Sequence, residues 1–297
     1  MSALATSLIG FGEVGQTLAA DLRARGVSAR AWDILFPDPH SIPSRALKLG
    51  TVTAAGSAAE ALAGAEVVIC AVTASDCLDA ARTAAPLLAD GAYFLDLNSV
   101  SPATKSAAAA LIAGGRGRYV EAAVMSPIQP KGAKSPILLG GPYAAEFLAL
   151  AQSLGFTATE VASDTIGRAS ATKMCRSVMI KGIEALLTES LLAARHYGVE
   201  ATVLESLKAL LPAADWRALS HYMIGRSLQH GRRRAAEMRE VAITVREAGL
   251  EPWMSSATAE RQDWAAAFGD ARARDTLEGT LDAILATLPR DAGARRC

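Results

Sequence analysis

The chain has 297 residues, a length that can bury a large hydrophobic core and favours two domains. Lys and Arg together number 30, as do Asp and Glu, so no overall charge attracts the chain to nucleic acid or to an anionic membrane. No apolar run reaches the ~20 residues of a membrane span. The four cysteines are not spaced as metal-binding pairs or as a disulfide framework, which predicts no metal site and favours a reducing, cytoplasmic location. They are Cys70, Cys77, Cys175 and Cys297.

A glycine-rich motif follows the first apolar strand of the chain. Residues 7–9 form that strand, and Gly10-Phe11-Gly12-Glu13-Val14-Gly15 leads from it into a helix. The first glycine permits a tight turn, the second lets the backbone approach a pyrophosphate, and the third lets helix and strand pack closely. Because a helix N-terminus offers N–H groups and a positive dipole end to phosphates, we predict that these six residues bind a dinucleotide.

An acidic residue occupies the position that selects the cofactor. The second predicted strand, residues 29–32, ends at Asp33, about twenty residues after the glycines, where the dinucleotide fingerprint has an acid. A carboxylate accepts hydrogen bonds from both ribose hydroxyls and repels a 2′-phosphate, so Asp33 favours NAD over NADP. Two alternatives remain open: Asp33 caps the loop that begins at Pro37, or Arg45 swings in to hold a phosphate and allows NADP.

Strands alternate with helices through about residue 100, the pattern of an α/β fold with a doubly wound, mostly parallel sheet of the Rossmann type. Residues 66–72 form a strand-length run that is continuously apolar after Glu66, as in a parallel strand covered on both faces. Ligands bind outside the C-terminal ends of such strands, so we expect Val72, Thr73, Asn98 and Ser99 to border the cofactor.

The character of the chain changes near residue 165, after further strands at 119–124, 137–140 and 156–161. No strand-like run follows. We therefore predict a dinucleotide-binding domain at 1–164, an all-helical domain at 165–290 and a disordered tail at 291–297.

Four helices are predicted in the second domain, at 166–197, 202–211, 216–230 and 232–248. In the first of them Lys173, Ser177 and Lys181 recur every four residues and form a polar line along an otherwise apolar helix. This line either faces solvent or is buried and used, because a buried lysine is costly without a partner. His230 and Arg232–Arg234 form a basic cluster that either solvates a helix start or holds a substrate carboxylate or the cofactor phosphates.

Three segments resemble the β-hydroxyacid dehydrogenases, which include phosphogluconate and 3-hydroxyisobutyrate dehydrogenases. They are the glycine motif at 10–15, Asp-Leu-Asn-Ser-Val-Ser-Pro at 96–102 and Gly-Arg-Ala-Ser-Ala-Thr-Lys at 167–173. Residues 121–127 and 173–182 are similar to a bacterial branch labelled phosphogluconate dehydrogenase-like, whose C-terminal domain has no assigned function. The resemblance implies a Rossmann domain and a helical substrate and dimerisation domain that pairs into a homodimer.

The resemblance also implies a catalytic residue. Lys173 matches the family's lysine, which takes the hydroxyl proton as hydride leaves the substrate carbon. A lysine acts as a base near neutral pH only where burial and positive charge lower its pKa from about 10.4. Ser177 replaces the family's asparagine four residues later, and Ser126 alone remains of the usual Ser-Gly-Gly substrate loop. Thr172 stands in place of a histidine of phosphogluconate dehydrogenase, so phosphogluconate is not the expected substrate.

The sequence thus favours an NAD(P)-dependent oxidoreductase that acts on a small β-hydroxy acid, a sugar acid or the matching oxo acid. Lys173, Ser126 and Ser177 are its expected catalytic residues. Imine reduction is an alternative, although those relatives commonly carry an acidic or tyrosine donor where this chain has Lys173. A non-catalytic NAD-binding regulator is a third possibility, which the substitutions at Ser177 and in the loop around Met125 keep open.

Overall fold

The computed structural model describes residues 4–210 and 215–288. The chain divides into two units, Met1–Cys175 and Arg176–Cys297, which are described separately below. The predicted tail at 291–297 and the last residue of the helix predicted at 202–211 lie outside the described residues.

The first unit is built on one sheet with the strand order β3-β2-β1-β4-β5-β6-β7-β8. Every neighbouring pair is parallel except β6 and β7. This arrangement confirms the predicted Rossmann-type, mostly parallel sheet. The strands are β1 (Thr6–Ile9), β2 (Ala29–Trp32), β3 (Thr53–Ala54), β4 (Val67–Cys70), β5 (Tyr93–Asp96), β6 (Arg118–Val124), β7 (Ile137–Gly140) and β8 (Thr159–Ser163).

Helices cover both faces of the sheet. Successive residues of its central strands point to opposite faces and are buried on both. Leu8 and Ile69 belong to one buried apolar cluster, whereas their neighbours Ile9 and Val68 belong to another. The continuous apolar run that follows Glu66 is therefore explained by burial of β4 on two sides. The helices of this unit are α1 (Glu13–Ala24), α2 (Ile42–Ala46), α3 (Ala58–Leu62), α4 (Cys77–Ala84), α5 (Pro102–Ala113) and α6 (Ala144–Ser153).

Among the residues that the structure describes, the second unit contains helices and connecting turns and no strand, as predicted. A 29-residue helix, α7 (Arg168–His196), begins in the first unit and continues into the second. Residues 165–175, which the sequence assigns to the helical domain, therefore group with the sheet. The remaining helices are α8 (Glu200–Leu210), α9 (Trp216–Glu247), α10 (Trp253–Ala265) and α11 (Leu277–Thr287). They enclose an apolar core that includes Leu191, Ile224 and Leu281.

One prediction in this unit is wrong. The helices expected at 216–230 and 232–248 are a single helix, α9, of 32 residues. Gly231 does not end it, because the missing side chain lets α9 approach α10: a Cβ on Gly231 would lie 2.3 Å from the Gln262 carbonyl oxygen. The basic cluster consequently lies inside a helix and not at a helix start, with Arg232 and Arg233 exposed and Arg234 buried.

Candidate active site

Two of the three glycines in the motif are required by the backbone itself. Gly10 has a φ of +90°, and a Cβ there would lie 2.4 Å from the Ala71 carbonyl oxygen at the end of β4. A Cβ on Gly15 would lie 2.2 Å from the Gly10 carbonyl oxygen, so only glycine lets α1 pack this closely on the turn. Both positions do what the motif predicts of them.

Gly12 is different, because a Cβ built on it would meet no atom within 4 Å. It is the N-cap of α1, and no side chain caps that helix. Glu13 is exposed and Val14 half-buried in the first turn, where the backbone N–H groups point toward the open space beyond Gly12. A space next to uncapped helical N–H groups fits the pyrophosphate of a dinucleotide.

Asp33 lies at the C-terminal end of β2 and connects two loops. Its Oδ2 accepts a hydrogen bond from the Phe11 N–H at 2.7 Å, and its Oδ1 accepts one from the Leu35 N–H at 2.9 Å. The residue also lines a cavity of about 490 Å³. The lining is mostly apolar, with one acidic side chain, that of Asp33, and no basic one. The lining residues are Trp32, Asp33, Ile34, Phe36, Pro37, Ala55 and Gly56. This lining fits an adenosine, and Arg45 does not belong to it.

The Asn98 side chain is turned into the protein. Its Oδ1 accepts a hydrogen bond from the Val72 N–H at 2.8 Å, and its Nδ2 donates to the sulfurs of Cys70 and Cys77 at 3.4 and 3.5 Å. Asn98 thus fixes the backbone at Val72, and its contact with the cofactor stays a prediction. Thr73, next in the chain, is exposed, and its hydroxyl is 2.7 Å from that of Ser75.

A buried ion pair supports this loop. Asp96 and Lys105 are 0% and 1% exposed, and Lys105 Nζ lies 3.0 Å from Asp96 Oδ1. Asp96 also accepts hydrogen bonds from the Asn98 N–H at 2.9 Å and the Tyr119 hydroxyl at 2.7 Å. Burial, followed by the Asp96 charge, raises the pKa of Cys77 to about 12 and that of Tyr119 well above its usual value. Both groups therefore stay protonated.

The sequence singled out neither Lys105 nor Tyr119. The available signal was a lone lysine in the alanine-rich segment that becomes α5.

Lys173 and Ser99 are brought together although 74 residues separate them: Lys173 Nζ donates a hydrogen bond to Ser99 Oγ, and both residues are half-buried. Ser99 follows β5, and Lys173 lies in the second turn of α7. The Ser126 hydroxyl, half-buried after β6, donates to the Pro127 carbonyl oxygen at 3.0 Å.

Glu121, which the sequence did not single out as a site residue, holds the start of α7. This carboxylate in β6 is fully buried. It accepts hydrogen bonds from the backbone N–H groups of Gly167 and Ser170, each at 2.6 Å. An acid among the apolar residues of the strand predicted at 119–124 was the available signal.

Comparison with known proteins agrees with this geometry. Residues 5–162 match the family described as the NAD binding domain of 6-phosphogluconate dehydrogenase. The chain belongs to the 6-phosphogluconate dehydrogenase-like family. Residues 194–265 match a domain of unknown function, DUF1932.

Solved structures extend the match over most of the chain. A conserved hypothetical protein from Sinorhizobium meliloti 1021 is 37% identical, with 96% of this chain and 97% of that one covered and a TM-score of 0.74. A conserved protein of unknown function, MTH1747, described as structurally similar to 3-hydroxyacid dehydrogenases, is 36% identical over 93% and 99% of the two chains, with a TM-score of 0.69. Mycobacterium tuberculosis 3-hydroxyisobutyrate dehydrogenase has the same fold at 17% identity, with coverage of 95% and 99% and a TM-score of 0.70. The predicted family resemblance is confirmed.

The second unit of this dehydrogenase-like chain contains the rest of the polar line. Ser177 and Lys181 are 6% and 7% exposed, so the line is buried and does not face solvent. Lys181 Nζ lies 2.6 Å from Glu237 Oε2 and donates to Ser177 Oγ at 3.4 Å. The lysine is therefore partnered within the helical unit.

A second buried pair lies near it. Arg234 donates to Glu184, which also accepts from Gln262 Nε2 at 3.2 Å. Burial raises the pKa of Glu184 and lowers that of Arg234, while each partner's charge opposes the shift.

Neither membrane spans nor metal clusters are found in residues 4–210 and 215–288. No helix in these ranges combines the length and apolarity needed to cross a bilayer. Within the same ranges, no group of three or more His, Cys, Asp or Glu residues is arranged to hold a metal ion.

Proposed function

We propose that the protein is an NAD-dependent oxidoreductase that transfers a hydride between a nicotinamide cofactor and a small β-hydroxy acid or its oxo acid. The contact between Lys173 and Ser99 carries this proposal. Ser99 follows β5 and the glycine motif follows β1, and the two strands run in the same direction with β4 between them. The lysine amine therefore lies at the edge of the sheet where a dinucleotide binds.

Lys173 acts as the general base during oxidation. Its neutral amine takes the proton from the substrate hydroxyl, and its ammonium form returns a proton to the carbonyl oxygen during reduction. Ser99 Oγ, which accepts a hydrogen bond from the amine, fixes the direction of Nζ. The nicotinamide, when bound, supplies the acceptor for the hydride that leaves the hydroxyl-bearing carbon. One hydride and one proton thus leave the alcohol as it becomes a carbonyl.

The part of the site proposed to bind the adenosine of the cofactor favours NAD over NADP. Asp33 is the charged residue in the lining of the cavity at the end of β2, and its negative charge repels a 2′-phosphate. Both carboxylate oxygens accept a backbone hydrogen bond, and each retains a lone pair for a ribose hydroxyl.

The other residue roles come from the family resemblance. Ser126 holds the substrate carboxylate, and Ser177 takes the place of the family's asparagine one helical turn after Lys173. A serine is shorter than an asparagine and offers one donor hydrogen in place of two. The chain works as a homodimer in the cytoplasm, with pairing through the helical domain.

The decisive experiment measures NADH or NADPH formation by the purified protein across short β-hydroxy acids and sugar acids. Lys173→Ala should abolish turnover and retain NAD binding, whereas the exposed Lys131 provides a matched control whose alanine variant should behave as wild type. Unchanged turnover in Lys173→Ala would refute the assigned base. Turnover of cyclic imines alone would indicate an imine reductase. NAD binding without turnover of either class would indicate a regulator.

A further inference from the structure

Strand β6 buries a carboxylate between apolar side chains. Glu121 is flanked by the buried residues Val120 and Ala122 and has no exposure to solvent. Burying a carboxylate costs several kcal/mol unless strong hydrogen bonds compensate. The partners of Glu121 are the Gly167 and Ser170 N–H groups, two donors at the start of α7.

We propose that Glu121 is a positioning residue for Lys173: its carboxylate fixes the first turn of α7 so that the lysine amine meets Ser99. This inference rests on the function proposed for Lys173.

Glycines on both sides leave room for this carboxylate. Gly140 of β7 is the register partner of Glu121, and a Cβ there would lie 2.5 Å from Glu121 Oε2. Gly167, one of the two donors, has a φ of +95°, which side chains rarely tolerate. The neighbouring backbone is thus shaped around the Glu121 side chain.

The two hydrogen bonds fix the helix in rotation as well as in position. Gly167 and Ser170 are three residues apart, so a single planar carboxylate holds both ends of the first turn. Bonds of 2.6 Å to a charged acceptor are stronger than bonds between neutral groups. The negative charge also interacts favourably with the positive N-terminal end of the helix dipole.

Lys173 follows Ser170 by three residues and therefore lies on the same side of the helix, one turn later. A rotation of the first turn would move Nζ along an arc away from Ser99. Ser99, the partner of Lys173, is fixed in the same way. Asp96 is the register partner of Glu121 on the neighbouring strand, and it accepts a hydrogen bond from the N–H of Asn98, the residue before Ser99. Two buried carboxylates on adjacent strands thus each fix one side of the contact.

The test compares Glu121→Gln with Glu121→Asp and a matched control. Gln keeps the length of the side chain, but its NH₂ group faces one of the two N–H donors. Asp keeps the charge but is shorter. Asp215→Asn is the control, because Asp215 caps α9 through the Ala218 N–H at 3.0 Å, so the variant removes a carboxylate charge at a different helix start.

For Glu121→Gln we expect kcat to fall by about 10- to 100-fold, because misplacing a reacting group by about 1 Å costs up to that factor. The KM for NAD should stay unchanged. Glu121→Asp should recover part of kcat, and Asp215→Asn should keep the wild-type value. A wild-type kcat in Glu121→Gln, or an equal loss in Asp215→Asn, would overturn the proposal.

A second measurement does not depend on turnover. The rate of Lys173 acylation, followed by mass spectrometry against the exposed Lys131, should rise in Glu121→Gln, because the amine leaves Ser99 for solvent. An unchanged rate would refute the positioning role. A raised rate in a protein that oxidises no hydroxy acid would support the positioning role and refute the proposed function instead.

Discussion

At the scale of single residues, Asp96 and Lys105 illustrate how strongly a buried charge depends on its partner. Replacing Lys105 by Met removes the cation that lies 3.0 Å from Asp96 and leaves the carboxylate buried and uncompensated. We expect this change to lower the free energy of unfolding by about 3–5 kcal/mol. Urea denaturation measures the change.

Arg82 and Asp79 supply the comparison, because their side chains are 62% and 78% exposed. Water already solvates both charges, so Arg82→Met should change the stability little. If Lys105→Met and Arg82→Met lowered the stability equally, loss of Lys105 would not leave an uncompensated charge on Asp96.

At the scale of elements, α9 contains two glycines with opposite surroundings. A Cβ on Gly231 would collide with the Gln262 carbonyl oxygen of α10, whereas one on Gly225 would meet nothing within 4 Å. Gly225→Ala should therefore stabilise the protein by about 0.5–1 kcal/mol through helix propensity. Gly231→Ala should destabilise it by about 1–3 kcal/mol, because overpacking exceeds that gain. Thermal unfolding of both variants gives the sign, and a stabilising Gly231→Ala would contradict the close approach of the helices.

Helix α9 also places cations around His230. Burial first, and then the charges of Arg233, Arg226, Arg234 and Arg272, lower the pKa of His230 from 6.5 to about 4. The unfolded chain binds this proton near pH 6.5, so between about 6.5 and 4 it holds more protons than the folded chain. Stability contributed by neutral His230 is therefore present above pH 6.5 and is lost as the pH falls toward 4.

The corresponding measurement compares the free energy of unfolding at pH 7 and pH 5. His230→Gln should show a smaller loss between these two values than the wild type does, because its side chain cannot take up the proton. If both proteins lost the same free energy of unfolding between pH 7 and pH 5, a group other than His230 would control the loss of stability in acid.

These elements show where sequence reasoning succeeds and where it stops. The strand at 66–72 and the turn at Gly10 were predictable, because each depends on a short segment and its period. Gly231 looked like a helix boundary because its partner, Gln262, lies on another helix. Glu121 was missed for the same reason: its donors are more than 40 residues away.

At the scale of the whole molecule, the mostly parallel sheet and the helical second unit followed from the alternation and then the absence of strands. The grouping of residues 165–175 with the sheet could not be predicted in this way, because it depends on contacts of Glu121 and Ser99 with α7, which join distant segments of the chain. The buried state of Lys181 was likewise left open, since its partner Glu237 lies 56 positions later in the printed sequence.

Cofactor binding should stabilise the folded chain by mass action. At NAD concentrations of about 100 times Kd, the free energy of unfolding should rise by about 2.7 kcal/mol, and NADP at the same concentration should give less. Gly12→Ala should keep the stability of the cofactor-free protein, because its Cβ meets no protein atom, yet it should lose most of the NAD effect. Calorimetry with and without each cofactor measures this, and an undiminished NAD effect in Gly12→Ala would place the phosphates elsewhere.

The hydrogen bond from the Phe11 N–H to Asp33 couples the choice between NAD and NADP to the order of the glycine loop. A substitution at Asp33 that accommodates a 2′-phosphate also removes the acceptor that orders the glycine loop. Selectivity between the two dinucleotides and affinity for their shared pyrophosphate are thus thermodynamically linked. Re-engineering this chain for NADP therefore requires a second change that supplies a new acceptor for the Phe11 amide.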